Sequence, residues 1–400
     1  MNRVVSESWS SMRSIGSKRP RHCLVLVSGL LALIAPPSFA KSAPNAGQQP
    51  PSTSRPFSVT PVAAFREPWA IAFLPDSRLL VTEKAGRLFM TTQDGVKKEV
   101  EGVPQVQYGG QNGLLDVAVS PTFDQDSSVY LSFVEPVAGG SGLALARGRL
   151  DETEQGAALK DLTVIWRQEP KAMGSQPGGV IAFSPDGQHL FLTSGDRRHP
   201  DSAQDLNSAL GKVLRLNLDG TTPADNPMAS RGGVRAQLWT SGHRNPYGLA
   251  FSADGKLWQH EMGPQGGDEL NLLQAGRNYG WPVVSNGDNY GGSPIPDHDQ
   301  ERRPEFAAPA LFWTPVISPA GMSFYSGPLF PDWNGSALIG SLSATGLIRV
   351  SVDPRGMARQ EDRWNLGKRI RDVAIAPDGA VWLVEDGAGG MLVNLRPDHL

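Results

Sequence analysis

The stretch SPDGQHLFLTSGD, residues 184–196, decides the fold. A Pro-Asp-Gly turn leads directly into a run of alternating and β-branched residues that ends in small and acidic ones. Turn chemistry of this kind beside period-two apolar patterning reads as a tight connection into a strand. The same design recurs as LPDSRLLVTEK (74–84), SPTFDQDSSVYLSF (120–133), SADGKLWQHE (252–261), FPDWNGSALIGSL (330–342) and APDGAVWLVED (376–386). A four-stranded antiparallel unit needs roughly 40–50 residues plus loops, and the spacing of these six units accommodates one each. The repetition predicts an all-β chain, a six-bladed β-propeller with four-stranded antiparallel blades. A sandwich or jelly roll would not require a repeated turn–strand signature.

Working outward, FSVTPVAAF (57–65) and GMLVNLRP (390–397) both read as strands suited to closing a ring, so the propeller domain is assigned to residues 57–400. The 45 glycines and 33 prolines in 400 residues disfavour a helical protein. One short loop helix is predicted at Asp201–Gly211 on its helix formers and glycine stop. Long loops are predicted at 135–145, 197–210, 221–236 and 285–308, and loops on a rigid scaffold commonly shape a site. The ten tryptophans, among them Trp69, Trp239, Trp258, Trp281 and Trp313, are expected mostly between blades.

The start of the chain has the marks of an export signal. Lys18, Arg19 and Arg21 precede an apolar run from Cys23 to Ala35, and Ser38-Phe39-Ala40 supplies small residues at a cleavage site after Ala40. The run is short for a membrane span, so no stable span is expected after cleavage, and the location is periplasmic or secreted. The one cysteine lies inside the signal, so the mature chain would carry no disulfide. Residues 41–56, rich in Pro, Ser and Gln, read as a disordered leader. A net charge of -3 with basic residues clustered only near the start points away from nucleic acid.

Chemistry concentrates between residues 239 and 281, WTSGHRNPYGLAFSADGKLWQHEMGPQGGDELNLLQAGRNYGW. Arg244 and Asn245 offer forked donors for a carboxylate or quinone carbonyl. The turn Met262-Gly263-Pro264-Gln265 presents backbone carbonyls to a hard cation, since proline removes a competing donor. Asp268 and Glu269 follow. Arg369 and Arg371, two residues apart, project from the same face of an extended segment. No P-loop, dinucleotide glycine motif, HExxH or G-x-S-x-G elbow is present.

Taken together, GQNGLLDVAVSPTF (110–123), LGKVLRLNLDG (210–220), GHRNPYGLAF (242–251), EMGPQGGDELN (261–271), NYGWP (278–282) and RIRDVAIAPDG (369–379) resemble the soluble quinoprotein sugar dehydrogenases, the glucose/sorbosone and aldose sugar dehydrogenase-like proteins. The resemblance implies a six-bladed propeller, pyrroloquinoline quinone (PQQ) and calcium as cofactors, and a sugar substrate. It implies that Gln111, Arg244, Asn245, Arg369 and Arg371 contact PQQ, a flat tricarboxylate. It also implies that the carbonyls of Gly263 and Pro264 hold the catalytic calcium, and that Glu269 and Tyr279 hold a second, structural one.

Departures from the family pattern are concentrated at the proton-transfer step. Within GSQPGGVIAFSPDG (174–187), Gln176 stands where the family has its catalytic histidine and Val180 where it has an arginine. An amide cannot accept a proton at neutral pH. The family's cofactor-binding lysine is replaced by Ser343 or Ala344. Asp196 matches a family acid near the active centre, and His199 and His260 are alternative bases. Three functions follow: a PQQ- and calcium-dependent dehydrogenase forming lactones at C1, a catalytically impaired propeller that binds carbohydrate or a partner, and a calcium-dependent lactonase. Mass spectrometry of the exported chain is expected to find its amino terminus at Lys41; a retained segment 1–40 would contradict the cleavage assignment.

Overall fold

The computed structural model describes residues 43–154, 156–299 and 301–398. The signal assignment at 1–40 lies outside the described residues. The described chain is all-β. Its only α-helical segments are Phe123–Asp126 and Gly233–Gln237, with 3-10 turns elsewhere, and no described helix is long and apolar enough to cross a membrane.

Four sheets are four-stranded, and an eight-stranded sheet joins two further antiparallel meanders through a short parallel pairing of Val100 with Ala157 and Glu101 with Ala158. The innermost strands of the meanders are, in chain order, Pro68–Phe73, Leu114–Val119, Gly178–Phe183, Pro246–Phe251, Pro319–Phe324 and Ile370–Ile375. Each packs on the next and the last on the first. Together they surround a channel of about 420 Å³. The two segments read as closing strands do pair: Phe57–Arg66 runs antiparallel to Ala388–Pro397, with Phe57 opposite Pro397 and Ala64 opposite Met391. The start of the domain therefore completes its last sheet.

Every inner strand carries a register irregularity in its first half. A bulge leaves backbone groups without ladder partners, and buried ones must find others. Hydroxyls from the neighbouring second strand supply them. Thr82 accepts from Ala70 N at 3.0 Å and donates to Leu115 O, in the next meander, at 2.7 Å. Ser132 accepts from Asp116 N at 3.0 Å and donates to Gly179 O. Thr193 accepts from Gly179 N and Val180 N at 3.0 and 2.9 Å and donates to Pro246 O at 3.0 Å. Two carboxylates do the same from the inner strands themselves, Asp116 accepting from Ile181 N and Asp372 from Ile71 N at 2.7 and 2.8 Å. The bonds these hydroxyls donate and the two that the carboxyl groups accept cross from one meander to the next.

Three local expectations are corrected. No helix forms at Asp201–Gly211. A 3-10 turn at Pro200–Ala203 is followed by further turns, because the buried Lys212 ammonium donates to the carbonyls of Ser202, Ala203 and Leu210 at 2.8, 3.0 and 2.7 Å. The expected loop at 135–145 is a hairpin, its strands running to Val137 and resuming at Gly140. Residues 43–56, for which composition predicts disorder, are held against outer sheet edges. Asn45 exchanges side-chain bonds with Thr314 N and O at 3.0 Å each, Ser52 N donates to Arg363 O at 2.8 Å, and Ser54 O accepts from Trp364 Nε1 at 3.1 Å. This polar, proline-rich strip adds only Ala46 to a core, yet it satisfies edge groups and blocks edge pairing.

Exchange of Thr193 for the isosteric valine would leave two N–H groups and one carbonyl unpaired inside the ring. A loss of about 2–4 kcal/mol is expected, read as a lower urea midpoint with an unchanged m-value.

Candidate functional site

Antiparallel alternation places the starts of the inner strands and the ends of the second strands at the same end of the channel. Trp69, Gln111, Gln176, Arg244, Asn245, Arg369 and Arg371 stand at or just before inner-strand starts, while Asp196, Gly263 and Asp386 follow second strands. Residues scattered over three hundred positions thus meet at one mouth.

Arg244 is the hub. The chain reaches it through a buried relay in which Thr240 Oγ1 lies 2.8 Å from His243 Nε2, and His243 Nδ1 lies 2.8 Å from Glu261 Oε1. Glu261 also accepts from Arg244 N. Burial opposes the Glu261 charge, but His243 and the Arg244 amide outweigh it and hold the pKa below its ordinary value. The relay has the hydroxyl–imidazole–carboxylate order of a nucleophilic triad, yet all three side chains are buried and His243 is covered by the stacked Tyr279 ring, centroids 5.0 Å apart. Its role is to fix Arg244. The Arg244 guanidinium is sandwiched between the rings of Trp281 and Tyr290, at 5.4 and 5.6 Å. Its Nη1 donates to Met262 O at 3.0 Å and Gly263 O at 2.8 Å, and Nη2 donates to the Tyr290 hydroxyl at 3.2 Å.

Gln176 connects this hub to Asp196. With its amide nitrogen toward the acid, the orientation that satisfies both neighbours, Gln176 donates to Asp196 Oδ1 at 2.6 Å and accepts from Arg244 Nη2 at 2.8 Å. Gln176 is held in the left-handed region, φ 64°, with its N–H on Gln111 Oε1 at 2.8 Å. Asp196 accepts further from Arg198 N and Trp281 Nε1, both at 2.9 Å. Burial pushes its pKa up to about 6, against the pull of those two donors and of Arg244. The result is a carboxyl group poised near neutrality with donors on every side.

The opposite wall is cationic and aromatic. Gln111 Oε1 also accepts from the Tyr247 hydroxyl at 3.3 Å. Tyr247 meets Trp69 edge to face with centroids 5.5 Å apart, and the Arg371 guanidinium lies 4.2 Å over Trp69. Arg371 and Arg369 both grip Asp386, Nε to carboxylate at 3.0 and 2.8 Å. Burial works against the Asp386 charge, but the two arginines hold it below the usual carboxylate range. The two arms are therefore parallel, Arg371 buried and Arg369 half-exposed.

Gly263, Glu269 and Tyr279 converge with Arg244, Glu261 and Trp281 on one small cavity of about 10 Å³. Asp268 closes the turn beneath it, accepting from Gly263 N, Ile317 N and Ser318 N at 2.9, 2.8 and 2.7 Å. Pro264 is buried beside the cavity but does not line it. Glu269 lies 3.3 Å from His298 Nε2. The Tyr279 hydroxyl is spent on Leu272 O and Gln274 N, at 2.6 and 3.0 Å.

A family model described as glucose/sorbosone dehydrogenase matches residues 65–394. The chain is 38% identical to the aldose sugar dehydrogenase YliI of Escherichia coli over 82% of its own length and 90% of that protein's. A crystal structure of the soluble aldose sugar dehydrogenase of Escherichia coli in the apo form, 37% identical, superposes with a TM-score of 0.80 over 85% of this chain and 99% of that one. The PQQ-bound aldose sugar dehydrogenase of Streptomyces coelicolor, 28% identical, does so with 0.67 over 87% and 99%. The chain belongs to the glucose/sorbosone dehydrogenase family.

Glucose/sorbosone dehydrogenases of this kind are PQQ-dependent oxidoreductases. Val180 lines the channel wall and Ser343 Oγ donates to Val316 O at 3.3 Å, so neither adds a charge. The two alternative histidine bases are excluded by position. His199 lies on the surface against Met173 O at 3.3 Å. His260 occupies the place in its second strand that Thr82, Ser132 and Thr193 hold in theirs, its Nε2 directed at Gly321 O of the next meander at 3.5 Å. Gly248 makes room for that ring, since a Cβ there would meet it at 2.1 Å. Burial drives the His260 pKa down to about 4, so it is a neutral structural staple.

Four contributors escaped the sequence reading. Tyr247 and Trp69 occupy the same second position in PYGLAF and PWAIAF, a signal visible once the inner strands are aligned. Tyr290 gave no signal; it is 66% exposed and covers Arg244. Arg197, fully buried without a carboxylate partner, donates to Asn112 Oδ1, Ser141 Oγ and Ala172 O at 2.8, 2.7 and 3.3 Å and ties the Gln111 and Gln176 loops together. Infrared difference titration is expected to show a carboxyl component that converts near pH 6, below those of the buried Asp268 and Asp372 near 7 and Asp116 near 8, and that vanishes in Asp196→Asn; His260→Gln should leave that component untouched.

Proposed function

We propose that this glucose/sorbosone dehydrogenase is an exported, periplasmic or secreted, six-bladed propeller enzyme that uses PQQ and calcium to oxidise aldose sugars at C1 to lactones. The observation that carries the reading is the convergence at one channel mouth of three arginines, three amides, an acid and a carbonyl-lined turn. The donor set suits a flat tricarboxylate: Arg244 and Arg371 present buried cations, Arg369 a half-exposed one, and the buried Asn245 Oδ1 has no hydrogen-bond partner among the described residues. Gln111 and Asn245 would orient its polar oxygens. The carbonyls of Gly263 and Pro264 would seat a calcium ion, hard oxygen donors for a hard ion, and Glu269 with Tyr279 a second one.

When bound, PQQ supplies the quinone that takes up hydride from C1. The chain itself must hold the sugar, exclude water and receive the hydroxyl proton. Asp196 is the group in the cluster able to receive it, and Gln176, neutral between acid and guanidinium, holds its Oδ1. The rings of Trp281 and Tyr290 flank the entrance, where faces of this kind can pack on a sugar.

A second reading, a catalytically impaired propeller that binds carbohydrate, is favoured by one observation: Asp196 is only 1% exposed, beneath the Gln176 amide. The lactonase reading lacks its ion cage, since among the described residues no three His, Cys, Asp or Glu side chains are arranged for a metal.

Supplied with PQQ and calcium, the mature protein is expected to oxidise aldoses in a dye-linked assay, slowly. Loss of a dedicated base typically lowers rate by about 10²- to 10⁴-fold. Gln176→His should regain on the order of 100-fold in kcat, and Asp196→Asn should abolish the residual rate with PQQ affinity retained. Only ionised Asp196 accepts a proton, so wild-type kcat should rise with pH through about 6 and then level. Calorimetric sugar binding without turnover at any pH would favour the second reading; absence of both PQQ binding and oxidation would remove the first.

A further inference from the structure

Arg244 places a fixed positive charge on Gly263 O, one of the two carbonyls read above as a cation seat. One nitrogen, Nη1, donates to Met262 O at 3.0 Å and to Gly263 O at 2.8 Å. The side chain cannot easily swing away. It is 5% exposed, accepted by Gln176 at 2.8 Å and by the Tyr290 hydroxyl at 3.2 Å, and stacked between two rings. Acidic groups face it from three elements: Asp196 beyond Gln176, Glu261 on its own backbone amide, and Asp268, whose carboxylate holds Gly263 N at 2.9 Å. Each is already engaged by other donors, so none is free to draw the guanidinium off the turn.

A carbonyl oxygen has two lone pairs, so Gly263 O is not blocked sterically. What opposes a divalent ion there is charge. Calcium sits about 2.3–2.6 Å from its oxygen ligands, which would put it beside a guanidinium bonded to the same atom. An anion laid against Arg244 changes this balance, because it neutralises the guanidinium and can draw its N–H groups off the carbonyls. Each ligand then favours the arrangement that the other needs. Binding free energies linked in this way are reciprocal, so the factor by which the anion strengthens the cation equals the converse.

Resting on the cofactor reading proposed above, we infer that Arg244 couples the two cofactors: a divalent cation binds the Gly263–Pro264 seat, whose Gly263 carbonyl Arg244 already holds, well only together with the anionic quinone. Arg244 is on this account a positioning residue for the metal as well as a contact for the anion. The protein alone would hold calcium weakly, and loading would be concerted.

The test is calorimetric titration of calcium into the mature protein, with and without PQQ. It is run in a Glu269→Gln background so that the neighbouring carboxylate does not report. In this parent, PQQ is expected to tighten calcium at least tenfold. Arg244→Gln, which removes the charge, should bind calcium alone at least tenfold more tightly than the parent, with little further gain from PQQ. Arg244→Lys, which keeps the charge, should stay within threefold of the parent without PQQ. It also keeps the test decisive if the glutamine variant is destabilised in a thermal melt. Calcium affinity unchanged in Arg244→Gln, or raised tenfold in Arg244→Lys, overturns the coupling while leaving calcium and PQQ as cofactors. Calcium binding to none of these proteins, with or without PQQ, overturns the metal reading itself and this inference with it.

Discussion

Backbone groups released by the inner-strand bulges set the terms for the rest of the molecule. A ring of sheets buries the starts of its innermost strands, and an unpaired N–H there is costly. Thr82, Ser132 and Thr193 resolve this by accepting from their own meander and donating to the next. The same bonds that satisfy the bulges hold neighbouring sheets in register. The bulges lie at the mouth of the channel, so the stapled positions are also the platform from which Trp69, Tyr247 and Arg371 face one another.

His260 shows how this constraint resolves a chemical ambiguity. A histidine next to a carbonyl turn and an acidic cluster is a natural candidate base. In the ring it takes the hydroxyl's place in the fourth meander, with Gly248 hollowed out for it and Gly321 O as its target. Its burial leaves it neutral. A titratable group that does lie in the cluster is Asp196, held by Gln176, by Arg198 N of its own loop and by the indole of Trp281.

The mouth is organised by charge that is paired in stages. Asp386 spaces two arginines, Glu261 fixes the backbone of a third, and Asp268 shapes the turn that this third arginine grips. Arg197 adds a buried cation that donates to neutral acceptors, its pKa drawn down to about 10 by burial against the pull of the neighbouring Asp196. Val180 and Ser343 add no charge to a site that presents a strongly positive wall, with Asp196 raised to about 6 and Asp268, under the turn, to about 7 by burial.

By itself the sequence determined the all-β class, the recurrence of turn and strand, the pairing of the first and last strands, and some of the residues that gather at the mouth. Those are readable because period-two patterning and turn chemistry act over a few residues, and because motifs such as Arg244-Asn245 and Arg369/Arg371 announce themselves by residue type. Tertiary structure decided the rest. Composition alone could not show that residues 43–56 would find sheet edges to lie on, that Lys212 would replace a helix at Asp201–Gly211, or that Gln176 would bridge Asp196 and Arg244. In each case the partner stands tens to hundreds of positions away or comes from another loop, and whether a polar group is free or satisfied depends on what the fold brings within about 3 Å of it.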